Sequence, residues 1–196
     1  MSNEFKIQLV EPRNPALHTV ASVNPFDDKD ANWEEREKEM IQLMKDRFGI
    51  GLAAPQLGMG YNMFVMTLST GEDIGVYNPE ILEFSKETVG MEEGCLTFPL
   101  LYFIVTRPAK VKVRFQTAEQ EVVEDWLEGM DARCFQHEFD HLQGITMWDK
   151  RYIVPQVVSE KTYGRNEKVI LIKGEETKTI KYKKADKYLN DGWVIQ

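Results

Sequence analysis

The run His137-Glu138-Phe139-Asp140-His141 puts two imidazoles and a carboxylate at a spacing that supports hydrolytic chemistry. On a helix, residues four apart stack on one face, so both rings reach a single metal ion. Glu138, between them, is set to hold a water on that metal and take its proton. A catalytic site of this kind needs a third protein ligand and one open position. No histidine follows His141, and Glu160, Glu167, Glu175 and Glu176 lack a helical setting. The upstream candidate is Cys95, in Glu92-Glu93-Gly94-Cys95-Leu96-Thr97-Phe98-Pro99. It follows a glycine and precedes an apolar run, as a ligand at a strand entrance would. From spacing alone it reads equally well as a small buried hydrophobe.

Two helices are needed to hold these groups. The first is predicted to begin near Asp30–Asn32, whose side chains cap free N–H groups, with Glu34 and Glu35 in the first turn. Met40, Met44 and Phe48 give it an apolar stripe, and Gly49 is the expected stop. The second covers Glu128–Leu142 with Gly144 as its cap, and places Met130, Cys134, His137, Glu138 and His141 on one face. Residues 1–29 read as an irregular arm. Residues 49–60 read as a Gly-, Ala- and Pro-containing segment that cannot be a regular helix, and its lack of bulk lets something approach the backbone. Between them and the second helix, strands are expected at Tyr61–Leu68, Ile74–Tyr77, Ile81–Phe84, Leu101–Val105, Val111–Phe115 and Val122–Trp126. After about Asp149 the composition shifts to a lysine-rich tail. A hairpin is expected there, Lys168–Lys173 and Thr177–Lys183 around Gly174-Glu175-Glu176, then a short polar helix and Gly192-Trp193-Val194-Ile195. The expected class is α+β, with mostly antiparallel short strands around a central helix carrying the histidines, an N-terminal helix and a β-rich tail. Residues 1–149 form the catalytic domain and 150–196 an extension.

Composition narrows the function. The 196 residues carry a formal net charge of −8, which argues against a sequence-general nucleic-acid binder. No stretch approaches the ~18 apolar residues of a membrane span. Met1–Lys6 shows no basic region followed by an apolar run, so no signal peptide is expected. Two cysteines in a cytoplasmic setting point to a ligand, a nucleophile or core residues before a crosslink. His18, in the Pro-rich arm, reads as a structural or surface residue.

Three blocks, in order, carry a family resemblance. They are Gly49-Ile50-Gly51-Leu52-Ala53-Ala54-Pro55-Gln56, Glu93-Gly94-Cys95-Leu96-Thr97 and Gln136-His137-Glu138-Phe139-Asp140-His141. The chain resembles the peptide deformylases from near its N-terminus to about Trp148. It departs from them at Thr97, where the family usually has Ser, and in its tail, where many bacterial members have a long charged helix. A shortened or rebuilt member, of viral or other divergent origin, fits that departure, and its setting would be the cytoplasm, the host's for a virus.

The resemblance implies Cys95, His137 and His141 as metal ligands, with Fe(II) the usual cellular ion and Zn, Ni or Co able to replace it. It implies Glu138 as general base, and Gln56 with the backbone N–H of Leu96 as donors to the oxyanion. The open backbone at Gly49, Ile50 and Gly51 would pair with an extended peptide, while Ile50, Met130 and Cys134 would wall a methionine pocket; Met130 and Cys134 read equally as core residues. Glu93 is expected to brace the site, and Arg107 and Arg133 to pair with buried carboxylates. Substrates would be formyl-methionyl nascent peptides, with the ribosome as a further candidate partner. Two rivals remain at this point: an HExxH zinc endopeptidase, which would need a ligand downstream of His141, and an inactive member kept as a binding module through the Lys-rich tail.

Overall fold

The computed structural model describes residues 7–150, 167–173, 176–189 and 193–195. The chain divides into two compact units, residues 1–152 and 153–196.

In the first unit, Asn14 and Asn24 each cap a short 3-10 turn that starts at a proline, Pro15–His18 and Pro25–Asp27. Helix α1 (Trp33–Asp46) follows, and its Asn32 side chain accepts from the Glu35 N–H at 3.3 Å, as expected of an N-cap. Its end differs from expectation. Phe48, not Gly49, takes the left-handed turn, at φ 57. The Phe48 N–H donates to the Lys45 carbonyl and the Gly49 N–H to the Met44 carbonyl, both at 2.9 Å, closing the helix one residue early. Gly49 is required for another reason: a Cβ there would lie 2.8 Å from the Leu96 side chain.

Strands β1 (Gly51–Ala53), β2 (Met63–Thr67), β3 (Asp73–Phe84), β6 (Lys110–Gln116) and β7 (Val122–Glu128) form one antiparallel sheet in the order β1-β2-β3-β6-β7. The runs at Ile74–Tyr77 and Ile81–Phe84 are one strand. A bulge at Asn78, φ 48, carries the chain past Pro79, which therefore bends the strand without ending it. Strand β4 (Thr88–Cys95) had no sequence signal, because Glu93 interrupts the alternation of Val89, Met91 and Cys95. It pairs with β5 (Phe98–Pro108) in a separate hairpin.

The sheet is covered on both faces. On β2, Phe64 and Met66 face helix α2 (Gly129–Leu142), while Met63 and Val65 face α1, and all four are fully buried. That explains why the strand reads as a continuous apolar run. On β6, Val111, Val113 and Phe115 point to α2, and Lys110, Lys112 and Arg114 alternate with them. Gly144, at φ 70, closes α2 as expected, and a short helix α3 (Met147–Lys150) follows. The architecture is α+β, with several strands longer than expected.

In the second unit, β8 (Lys168–Lys173) is flanked by β9 (Glu176–Lys181) and β10 (Val194–Ile195), and a short helix α4 (Asp186–Leu189) lies between β9 and β10 in sequence. Val169, Leu171, Ala185 and Trp193 form its core. The second hairpin arm stops at Lys181, because Tyr182–Lys184 turn into a 3-10 helix. The expected turn at Gly174 and Glu175, and Gly192, lie outside the described residues, as do Glu160 and the lead-in 151–166. Among the described residues no helix is long and apolar enough to cross a membrane.

Candidate metal centre and cleft

Two separate elements converge on one point. Helix α2 contributes His137, Glu138 and His141, all buried. The end of β4 contributes Cys95, half-buried. The ligating atoms of Cys95, His137 and His141 all lie within 4.8 Å of one another, and the Cys95 sulfur is 3.3 Å from His141 Nε2. The downstream glutamates are not needed for a third ligand.

The tautomer of His137 follows from its neighbour. Its Nδ1 sits 2.9 Å from Glu93 Oε2, so Nδ1–H donates to the carboxylate and Nε2 keeps its lone pair for the centre. Glu93 is in turn held by Arg107, Nε to Oε1 at 2.6 Å and Nη2 to Oε2 at 2.9 Å, and by Arg133 Nη1 at 2.8 Å. Arg107 also reaches Asp140 at 2.6 Å, and Lys150 pairs with that carboxylate from outside. Burial alone would raise the Glu93 pKa, but the hydrogen bonds from Arg107, His137 and Arg133 more than reverse this and hold it far below the usual carboxylate range. The bracing role expected of Glu93, and the pairing expected of both arginines, are what the geometry shows. Asp140 had gone unassigned. As the variable-looking fourth residue of the histidine motif it gives no local sign that it meets Arg107.

The donor set fits a divalent cation. Burial works against charge on His137, yet hydrogen bonds to Cys95 and Glu93 push its pKa up to about 10. A positive charge is thus favoured at His137, while burial and the neighbouring His137 keep His141 neutral and free to ligate; a cation can supply the charge without a proton. A thiolate with two imidazoles suits iron or zinc.

Gln56 lies on the 3-10 turn Ala54–Leu57. Its Oε1 accepts the Ala53 N–H at 2.7 Å, which turns the NH2 group toward Cys95 Sγ at 3.4 Å and Thr97 Oγ1 at 3.2 Å. The hydroxyl that Thr97 shares with serine is the feature in use. Leu96 lies in the turn between β4 and β5 and lines the cleft.

Glu138 faces the centre from α2. Burial pushes its carboxyl up to about 7, against the pull of His137 and Arg107. Its Oε2 is buried with no hydrogen-bond partner among the described residues. Its Oε1 lies where a Gly51 Cβ would be, at 2.3 Å. Gly51→Ala is therefore expected to fold but to displace the carboxylate, lowering kcat by about 10²-fold with metal content unchanged. Turnover and metal analysis on the same sample test this, and parental kcat would refute the contact.

The centre opens into a cleft of about 510 Å³. Gly49, Ile50 and Gly51 form one wall, where the chain enters β1, the end strand of its sheet. Met130 stands half-exposed at the mouth. Cys134 lines the cleft too, but is buried in the core and donates its thiol hydrogen to the Ile50 carbonyl at 3.2 Å, so it also anchors that wall. Phe48, Leu100 and Tyr102 also line it; Phe48, expected on the apolar stripe of α1, lies past the end of that helix and is exposed, and Leu100 and Tyr102 had no local signal in the sequence. His18 is exposed and apart from these residues.

A family model described as polypeptide deformylase matches residues 7–156. A peptide deformylase from Thermotoga petrophila is 47% identical over 138 residues, covering 70% of this chain and 82% of that protein. The chloroplastic peptide deformylase 1B of Solanum lycopersicum is 39% identical over 148 residues, covering 74% of this chain and 52% of its own length. Among solved structures, the peptide deformylase of Thermotoga maritima superposes with a TM-score of 0.69 at 40% identity, covering 74% of this chain and 97% of that one. A Met-Ala-Ser-bound class I type b enzyme from Acinetobacter baumannii does so with 0.67 at 31%, covering 74% and 97%.

Proposed function

The chain belongs to the peptide deformylase family, and from that premise we propose that it removes the N-formyl group from formyl-methionine on newly made polypeptides, with Cys95, His137 and His141 holding the metal and Glu138 acting as general base. The observation that carries this reading is the convergence of one sulfur and two ring nitrogens within 4.8 Å, with a buried carboxylate and an amide NH2 beside them.

A divalent cation bound there, Fe(II) in the cell, supplies Lewis acidity that makes water acidic enough to lose a proton near neutral pH. Glu138 takes that proton. Its raised affinity for one suits a group that must accept and then return it. As the oxygen adds to the formyl carbon, the carbonyl oxygen gains negative charge. The Gln56 NH2 and the Leu96 N–H donate to it, and one such donor is worth about 10²–10³ in rate. The C–N bond then breaks, Glu138 delivers its proton to the departing amine, and formate leaves. Glu93, fixed by two arginines, holds the His137 ring in the tautomer that leaves Nε2 unprotonated. The backbone of Gly49, Ile50 and Gly51, leading into β1, offers main-chain groups to an extended peptide and tolerates varied sequence, while Ile50, Met130 and Cys134 receive the methionine side chain.

In this reading residues 1–149 catalyse, 150–196 are an appended extension, and the enzyme works in the cytoplasm on chains emerging from the ribosome. Co-sedimentation with translating ribosomes tests that last point. The assay of function is anaerobic formate release from formyl-Met-Ala-Ser by the iron-loaded protein. Substituting zinc, nickel or cobalt, with turnover read for each, tests the choice of iron. Cys95→Ala is expected to lose both the ion and turnover, because a catalytic centre of this kind is held by three protein ligands. Full metal occupancy in that variant would remove Cys95 from the set. Cleavage of an unformylated internal peptide bond would instead favour an endopeptidase.

A further inference from the structure

Phe48 and Leu100 are large apolar residues at φ 57 and φ 65, in the left-handed region that a Cβ disfavours. Burial does not offset this, since they are 97% and 90% exposed. Both line the same cleft. Phe48 is presented by the turn that ends α1. Leu100 is presented by a break in the hairpin register: Cys95 pairs with Phe98 and Gly94 with Tyr102, so Pro99, Leu100 and Leu101 are extra residues pushed out of the ladder. Two unrelated local devices thus hold apolar side chains in water beside one groove.

The course of a substrate along that groove is limited. Its reacting end must lie at Gly51, where Glu138 Oε1 sits. It cannot run onward beside Leu52, Ala53 and Ala54, which are completely buried. It must therefore leave past Ile50 and Gly49 toward Phe48, antiparallel to β1. At ~3.3 Å per residue, Phe48 lies roughly 10 Å from Gly51, about where the third residue of an extended peptide falls. In a strand the first and third side chains share a face.

We infer that Phe48 and Leu100 form a selector for an apolar side chain at the third position of the formylated substrate, an inference that rests on the deformylase reading above. The test compares kcat/KM on formyl-Met-Ala-Leu, formyl-Met-Ala-Ser and formyl-Met-Ala-Glu for the metal-loaded parent, Phe48→Gly and Leu100→Gly. Glycine accepts positive φ, so both variants keep the fold, and their thermal midpoints should not fall. The parent should prefer Leu over Ser by about tenfold, mainly through KM, and each variant should lose most of that preference. A purely structural role would instead lower all three peptides together, along with the thermal midpoint. Processing of all three at equal rates by the parent, or a preference retained in both variants, overturns the selector. Absence of formate from every peptide sinks the deformylase reading, and the selector with it.

Discussion

Glu138→Gln should lower kcat on formyl-Met-Ala-Ser by about 10²–10⁴-fold while leaving the bound metal and the fold unchanged. Glutamine keeps the size of the side chain, so the contact with Gly51 survives, and it removes a buried ionisable group, so stability should not suffer. What it cannot do is accept a proton. Glu138 suits that task through its position: a fully buried carboxylate whose pKa burial raises to about 7, with one oxygen lacking a hydrogen-bond partner among the described residues. Because Gln56 and the Leu96 N–H would still meet the developing oxyanion, some rate above the uncatalysed reaction should remain. Metal content, circular dichroism and single-turnover formate release on one preparation separate loss of chemistry from loss of the site. Turnover at the parental rate with full metal would show that the proton goes elsewhere.

Arg107→Met is expected to cost about 3–5 kcal/mol of stability. The guanidinium is 3% exposed and binds two carboxylates, Glu93 and Asp140. Removing it leaves both carboxylates buried with less compensation. Arg133 still reaches Glu93, and Lys150 still reaches Asp140, so the loss should not be larger. The pH dependence carries the signature. In the parent, Glu93 has a pKa below its ordinary 4.5, so its ionisation favours the fold above that value. In the variant, Arg133 and His137 remain but burial is less opposed, so the folded-state pKa rises and this contribution to stability shrinks. The difference between parent and variant should therefore be full above 4.5, the ordinary Glu value, and should shrink progressively below it, as pH falls toward the lowered folded-state pKa of Glu93 in the parent. Urea melts of both proteins in steps from neutral pH down to about pH 2 measure this. A difference that does not vary with pH would mean the loss is one of packing and not of charge.

Local patterns made a large part of this protein readable before any coordinates. The five-residue histidine motif specifies the face of α2 because helical geometry depends only on spacing. The Asn32 cap, Gly144 at the end of α2 and the alternation on β6 are also short-range effects, and each appears as expected. Where the reading failed, a long-range contact decided the outcome. Phe48 takes the left-handed position that Gly49 was expected to hold, because Gly49 must instead admit the Leu96 side chain. Strand β4 lacks the alternation of a half-buried strand, because Glu93 points inward to meet two arginines from β5 and α2.

The residue types and their spacing marked His137 and His141 as candidate ligands of one cation and Glu138 as the carboxylate placed beside them. Spacing alone left Cys95 open between ligand and core, because the separation of β4 from α2 along the chain carries no information about distance. Only the tertiary structure brings that sulfur to 3.3 Å from His141, aims Gln56 through the Ala53 N–H and Thr97, and sets Phe48 and Leu100 on one groove. Helical faces follow from a repeat that every residue carries, whereas these placements depend on how a sheet packed between two helices positions segments that are far apart in the chain.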